Sequence, residues 1–429
     1  MNIFKRLWNK LFGKGDKERY SVPRSAQDVI PIKTIWDDGV FEVGAGMYSK
    51  TFRFEDINYA IASKEDKEAM FLEYSELLNS FDSGAHYKIT IQVKKLDKDA
   101  FKQEILIPLK GDDKDIYRIE YNKILLDEAT GANGFVQQKY ITVTVQKKSI
   151  EEARNYFTRV GTDLMAHFSR LGSRAIVLDA GDRLRILHDF FRPGDEGGYH
   201  FNAADAMRKG HSFKDSICPD TFEFEKDHFI MVNKYGRVVV LRDYANFIKD
   251  DILVELCNFN RNMMLSVDIT PVATDVAVRE VEKRVLGVES NITNWQRRQN
   301  TNNNFSAVIP YDMELQRKES KEFLDDLTTR DQRMMFGVIT IVLTADTLEQ
   351  LESDTETMFT LGRKRLCQFA TLKHQQMDGL NTVLPYASAK LMPSAPLSPR
   401  VSPCSFPSVC KKYLTGAAFT TASMPFPAT

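Results

Sequence analysis

Cysteine is scarce in this chain. Five occur in 429 residues, and only Cys218, Cys257 and Cys367 lie before residue 387. They are widely spaced and form no CxxC pair, which excludes a disulfide framework or a zinc knuckle and suits a reducing compartment. A charge excess is lacking too: 58 basic residues meet 59 acidic ones, a net charge of −1. A protein that coats nucleic acid usually shows a strong basic excess, so direct nucleic-acid binding is not expected. No apolar run reaches the length of a membrane span. The phosphate-wrapping pattern G-x-x-x-x-G-K-[ST] is missing, because Gly13-Lys14 is followed by Gly15 where Ser or Thr should stand. Gly44-Ala45-Gly46 has no third glycine and no following helix, and reads as a tight turn rather than a dinucleotide site. The H-E-x-x-H, G-x-S-x-G and H-x-E…C-x-x-C patterns do not occur. Motifs therefore supply no catalytic residue, no cofactor-binding residue and no metal ligand.

What is present is ordinary globular material, 43% hydrophobic and 27% charged, enough to build sizeable cores in two to three domains. The first 20 residues stand apart, with six basic side chains and two acidic ones. Ile3, Phe4, Leu7, Trp8, Leu11 and Phe12 fall on one helical face, with Lys5, Arg6, Lys10 and Lys14 on the other. This spacing predicts a cationic amphipathic helix. Such a helix either lies in the headgroup region of an anionic leaflet or docks on protein. A secretory signal fits less well, since the apolar positions are interrupted and no small-residue cleavage site follows.

Along the body, strands are expected at Val29–Ile35, Val40–Val43, Tyr48–Phe54, Tyr87–Val93, Tyr140–Val145 and Ala175–Leu178. A hairpin is expected over His228–Val232 and Arg237–Arg242, with further strands at Met263–Val272, Gly337–Leu343 and Cys367–Leu372. Helices are expected at Lys64–Phe81, Asp115–Glu128, Ile150–Leu171, Asp182–Phe191, Asp275–Gln299, Asp312–Met335 and Leu348–Leu366. Residues from Arg192 to about Phe222 read as irregular. The pattern predicts an α+β fold of mixed sheets with helices packed on one face and no RecA-like P-loop domain. The expected divisions are residues 1–20, an α+β domain over 21–150, a second α+β region over 151–386, and a tail over 387–429. That tail holds 7 of the 15 prolines, 2 of the 5 cysteines and no acidic residue, a composition that predicts disorder.

Two clusters invite chemistry and have plainer readings. His188-Asp189 sits on an amphipathic helix with no nucleophile placed near it by sequence, and reads as a structural histidine. Asp325-Asp326 and Asp331 lie among Lys321, Arg330 and Arg333, the composition of a solvated ion-pair face rather than a metal site.

From Val22 to Tyr386 the chain resembles the N-terminal half of the CagE/TrbE/VirB family, the large ATPases of type IV secretion and conjugative DNA transfer, in the form found in mobile elements of Gram-positive bacteria. The most specific stretch is Gly287–Phe336, GVESNITNWQRRQNTNNNFSAVIPYDMELQRKESKEFLDDLTTRDQRMMF. Tyr48–Ala85, Glu151–Leu164 and Lys373–Tyr386 support it. In that stretch Ile292, Trp295 and Phe305 are expected as apolar anchors. The following helix should bury Phe323, Leu324 and Leu327 and expose Arg317-Lys318-Glu319 and Lys321-Glu322. The charged face either is simply solvated or meets a neighbouring subunit or the nucleotide domain.

The resemblance implies that catalysis resides downstream, in a RecA-like domain with a P-loop lysine and metal-binding carboxylates, where ATP and Mg act in the intact family. None of those positions matches this chain, so no site residue carries over. In a frame shifted by two nucleotides, permissible codons for Ala389–Pro396, Pro403–Val409 and Val409–Phe426 can encode family-like continuations, which predicts a frameshift just after Tyr386. The resemblance implies a non-catalytic portion peripheral to the cytoplasmic face of the cell membrane. Its partners would be inner-membrane components of the conjugation channel, the anionic membrane surface through residues 1–20, and other copies of itself. A stand-alone interaction protein docking on that channel, or an ATPase restored by programmed frameshifting, would share the same sequence features.

Overall fold

The computed structural model describes residues 23–386 apart from 58–61, 96–105, 132–134, 196–198, 200, 244–251, 303–307 and 330–332. The amphipathic segment over residues 1–20 and the tail from Ala387 lie outside the described residues. Strands are β1 (Thr34–Ile35), β2 (Phe41–Gly44), β3 (Met47–Phe54), β4 (Ala85–Lys95), β5 (Phe135–Gln146) and β6 (Ala175–Val177). They continue with β7 (Phe222–Phe224), β8 (Phe229–Met231), β9 (Lys234–Asp243), β10 (Met263–Pro271), β11 (Met335–Ala345) and β12 (Gln368–Thr371). All twelve belong to one sheet in the order β1-β2-β3-β5-β4-β10-β11-β9-β8-β7, with β6 on β3 and β12 on β9. Every pairing is antiparallel. The class is α+β as expected, but the described residues form a single antiparallel sheet rather than mixed sheets. β4 pairs β10 from Tyr87↔Ile269 to Val93↔Met263, so the sheet runs unbroken between residues on either side of position 150.

The first sheet face is apolar because alternate residues are. Tyr87, Ile89, Ile91 and Val93 align with Ile141, Val143, Leu265, Val267 and Ile341 in one core. The helices that cover it include α2 (Lys64–Ser80), α4 (Ile150–Arg170) and α10 (Leu348–Lys364); α3 (Asp115–Gly131) lies between α2 and α4 in the chain. Ser149 caps α4 by accepting from the Glu152 N–H at 3.3 Å, and Glu151 and Glu152 oppose the positive end of the helix dipole. Ala153, Phe157, Val160, Leu164 and Phe168 then recur at three- and four-residue spacing and are buried. Phe168 rests on Phe54 of β3, ring centroids 5.0 Å apart. In α10, Thr347 caps through the Gln350 N–H, and Leu351 and Met358 face the sheet.

Helices also cover the second face, which corrects the expectation of one helical layer. α5 (Ala180–Phe191) brings Leu184, Leu187 and Phe191, and α11 (Gln376–Val383) brings Leu380 and Val383 onto Phe41, Met264 and Val342. Four local differences follow from packing. Ala26–Val29 forms the helical turn α1, so only Thr34–Ile35 of the expected first strand is extended. The region read as irregular contains α6 (Ala203–Lys209) and a 3-10 turn at Phe213–Ser216. α7 (Ile252–Cys257) precedes β10. The helices α8 (Thr274–Thr301) and α9 (Tyr311–Thr328) form an antiparallel pair, and Met335 begins β11 instead of ending α9. Gly39 closes the Asp-Asp-Gly turn at φ +78°, where a Cβ would sit 2.1 Å from the Leu178 carbonyl oxygen.

Candidate functional site

The second face of the inner strands carries Ser49, Thr51, Lys88, Thr142, Ser266 and Asp268, all buried. A half-polar strand reads as solvent-facing on that side, yet here the residues Gln376–Tyr386 lie over it. Lys88 and Asp268 face each other across the β4–β10 pair, with Nζ 3.4 Å from Oδ1. The ammonium also donates to the carbonyl oxygens of Thr382 and Leu384, the latter at 3.1 Å. Ser266 Oγ donates to Asp268 Oδ2 at 3.2 Å. Burial pulls the Lys88 pKa down, and Asp268 opposes that shift.

Arg183, on α5, is buried without a carboxylate partner among the described residues. Its guanidinium donates to the carbonyl oxygens of Gly39 at 2.8 Å, Ser49 at 2.9 Å and Pro385 at 3.3 Å, and to Ser49 Oγ at 3.1 Å. It stacks 3.8 Å over the Phe41 ring. Burial lowers its pKa to about 9. Ser49 Oγ in turn donates to the Tyr386 carbonyl at 2.6 Å, and Thr51 Oγ1 to that of Pro385 at 3.1 Å. Asn381 Nδ2 donates to the Val29 carbonyl at 3.0 Å, and Asn381 Oδ1 accepts from the Tyr386 hydroxyl. Gln376 accepts from the Val238 N–H at 2.8 Å and donates to Leu372 O. These ties fasten the segment through Tyr386 to the sheet; they engage backbone carbonyls, as a clamp does.

A cleft of about 740 Å³ opens at one end of the sheet between β4, β10, β11 and α10. Most of its charges are met in pairs: Lys94 with Asp189 at 2.7 Å, Arg261 with Asp354 at 2.9 Å, and Lys234 with Asp346. His188 is buried beside it. Its Nδ1 is 3.7 Å from Asp189 Oδ1, its Nε2 is 4.0 Å from Asp195, and its ring leans on Tyr199 with centroids 5.1 Å apart. The histidine is thus packed between carboxylates and an aromatic ring.

The helix pair α8–α9 carries most of the Gly287–Phe336 stretch. Its base is a small core of Val272, Ala277, Val281, Phe323, Leu327 and Met334. Ile292 is buried and Trp295 half-buried, while Phe305 lies outside the described residues. Arg317 and Lys321 both turn to Glu289 of α8 at 2.9 Å, and these contacts hold the Glu289 carboxyl below its usual pKa. Lys321 therefore serves the helix pair and not Asp325-Asp326. Arg333 donates to the Phe81 carbonyl at 2.6 Å. Asp331 and Arg330 lie outside the described residues. Leu286, Val308 and Tyr311 are exposed.

The remaining candidates are dispersed. Gly46 takes φ +68° in the turn between β2 and β3, while Gly13-Lys14 lies outside the described residues. Cys218, Cys257 and Cys367 are buried, and burial pushes the Cys218 thiol up to about 11 and that of Cys257 up to about 12. Among the described residues no group of three or more His, Cys, Asp or Glu could hold a metal ion, and no helix is long and apolar enough to cross a membrane. The clamp over the second face left a weak signal in sequence: Ser49, Thr51, Lys88 and Asp268 are polar at alternate strand positions, but nothing local names their partners. Neither a family model nor a curated protein matches this chain.

Proposed function

We propose that this chain is the non-catalytic N-terminal portion of a type IV secretion ATPase of conjugative DNA transfer. It supplies membrane-side and channel-partner contacts and turns over no ATP on its own. One observation carries the reading. The four stretches of resemblance, although far apart in sequence, fall on one folded body: Tyr48–Ala85 supplies most of β3 and all of α2, Glu151–Leu164 most of α4, Gly287–Phe336 the C-terminal half of α8 and all of α9, and Lys373–Tyr386 the clamp. The exposed apolar side chains of Leu286 on α8, Val308 in the connection before α9 and Tyr311 at its start support a surface meant for another protein. Scattered lysines do not supply the convergent N–H groups that hold β- and γ-phosphates.

The test mixes the purified chain with the isolated RecA-like domain of an intact family member, followed by size-exclusion chromatography and phosphate release. A complex weakened by Tyr311→Glu, with ATP turnover only from the added domain, is the expected result. Magnesium-dependent turnover by this chain alone, or no complex at any concentration, would overturn the reading. Residues 1–20 are assigned to an anionic leaflet; deleting residues 1–19 should reduce co-sedimentation with phosphatidylserine vesicles and leave thermal unfolding of the body unchanged.

A further inference from the structure

We infer that α3 is a homotypic docking helix, and that a second copy of this chain covers it in antiparallel orientation. Five of its apolar side chains face outward. Ile116 and Tyr117 are each 72% exposed, and Ile119, Tyr121 and Ile124 each more than half exposed. Leu109, in the loop that precedes the helix, is 58% exposed. At about 100° per residue, the five helical positions share one broad arc, while Arg118, Asn122 and Leu125 take the opposite side. That opposite side is fastened to the preceding loop. Asn122 exchanges two hydrogen bonds with the Ile107 backbone, each 2.9 Å, and Arg118 pairs with Asp112 and Asp115. The Asp115 carboxylate also accepts the N–H groups of Lys110 at 3.0 Å and Gly111 at 2.7 Å. The loop and helix are thus a polar-pinned unit that presents its apolar arc away from its own anchor.

Charge selects the occupant. Between Leu109 and Ile124 four basic residues meet four acidic ones, so the unit is neutral. An anionic bilayer gains little from such a surface, and the cationic segment 1–20 finds no acidic excess there. Inside the apolar arc, however, stand Glu120 and Lys123, both exposed and neither in an ion pair among the described residues. A twofold axis between Tyr121 and Asn122 sets Glu120 against Lys123 of the second copy, twice, and Ile119 against Ile124. The surface is complementary to itself, as an isologous contact requires.

The experiment is sedimentation equilibrium of the full chain over a wide concentration range, with Glu120→Lys and Lys123→Glu variants. Far-UV circular dichroism and melting temperature serve as folding controls. The chain should dimerise. Each variant alone should weaken the dimer at least roughly tenfold, because like charges then face each other. An equimolar mixture of the two should associate again, since each then meets its opposite. Ile124→Ser should dissociate the dimer with no change in melting temperature. A monomer at all concentrations, a dimer indifferent to these variants, or a mixture that fails to re-associate would overturn the proposal. So would Ile124→Ser abolishing phosphatidylserine-vesicle binding of a monomeric chain, which assigns the arc to a bilayer. Dimer lost on deletion of residues 1–19 would assign it to that segment.

Discussion

Lys88 and Asp268 show how a polar strand face becomes interior. Their ion pair is buried on both sides, and removing one partner of such a pair strands a charge at a cost of about 3–5 kcal/mol. Asp268→Ala should therefore lower the urea midpoint sharply. The Lys88→Met, Asp268→Leu double variant should cost less than that single change, because no unpaired charge remains. His86, on β4, has Nδ1 3.0 Å from Thr270 Oγ1, and burial pushes its pKa down to about 4. The unfolded chain binds a proton below about pH 6.5 while the folded chain resists it to about pH 4, so acid favours unfolding across that window. Stability present above pH 6.5 should fall as pH drops towards 4, by at most about 3 kcal/mol from this residue. His86→Gln should flatten that part of a denaturation-versus-pH profile; an unchanged profile would show that His86 titrates normally.

At the scale of elements, the stretch from Gln376 to Tyr386 has an importance that its length conceals. It brings Leu380, Val383, Leu384 and Tyr386 into the second core, and its carbonyls receive Lys88, Arg183, Ser49 and Thr51. A chain ending at Tyr386 should melt within a few degrees of the full chain, since the composition beyond offers little to bury. One ending at Leu372 should fail to fold, because several buried donors would lose their acceptors at about 1–3 kcal/mol each. Limited proteolysis with mass readout of the trimmed end distinguishes the outcomes. A large melting loss on cutting at Tyr386 would mean that the later residues also pack.

For the whole molecule, the β4–β10 pairing is decisive. It joins strands nearly two hundred residues apart through seven aligned positions, and the apolar core on the first face is common to residues before and after position 150. Residues 21–150 and 151–386, produced separately, should each expose a long unpaired edge and aggregate. Co-expression should recover a soluble pair. Two fragments that fold alone with sharp, independent melting transitions would show that the pairing is secondary to two self-sufficient cores.

Periodicity by itself determined most elements of the body, because strand alternation and helical spacing are local properties of the residues involved. It placed α4, α8, β4, β10 and β11 within a few residues, and it placed the apolar face of the sheet on Ile89, Ile91 and Val93. The capping serines and threonines, such as Ser149 and Thr347, mark helix starts for the same local reason. The tertiary structure alone decided the fate of the other face. Ser49, Thr51, Lys88 and Asp268 are polar, and a polar alternation is satisfied equally by water or by buried partners; the clamp carbonyls that meet Ser49, Thr51 and Lys88 come from more than two hundred residues away. The same holds for His188, whose neighbours Asp195 and Tyr199 are drawn in by the loop after α5. It holds as well for Lys321, which the α8–α9 packing turns towards Glu289. Hydrogen-bonding capacity is written in the side chain, but its partner is fixed only when distant segments meet.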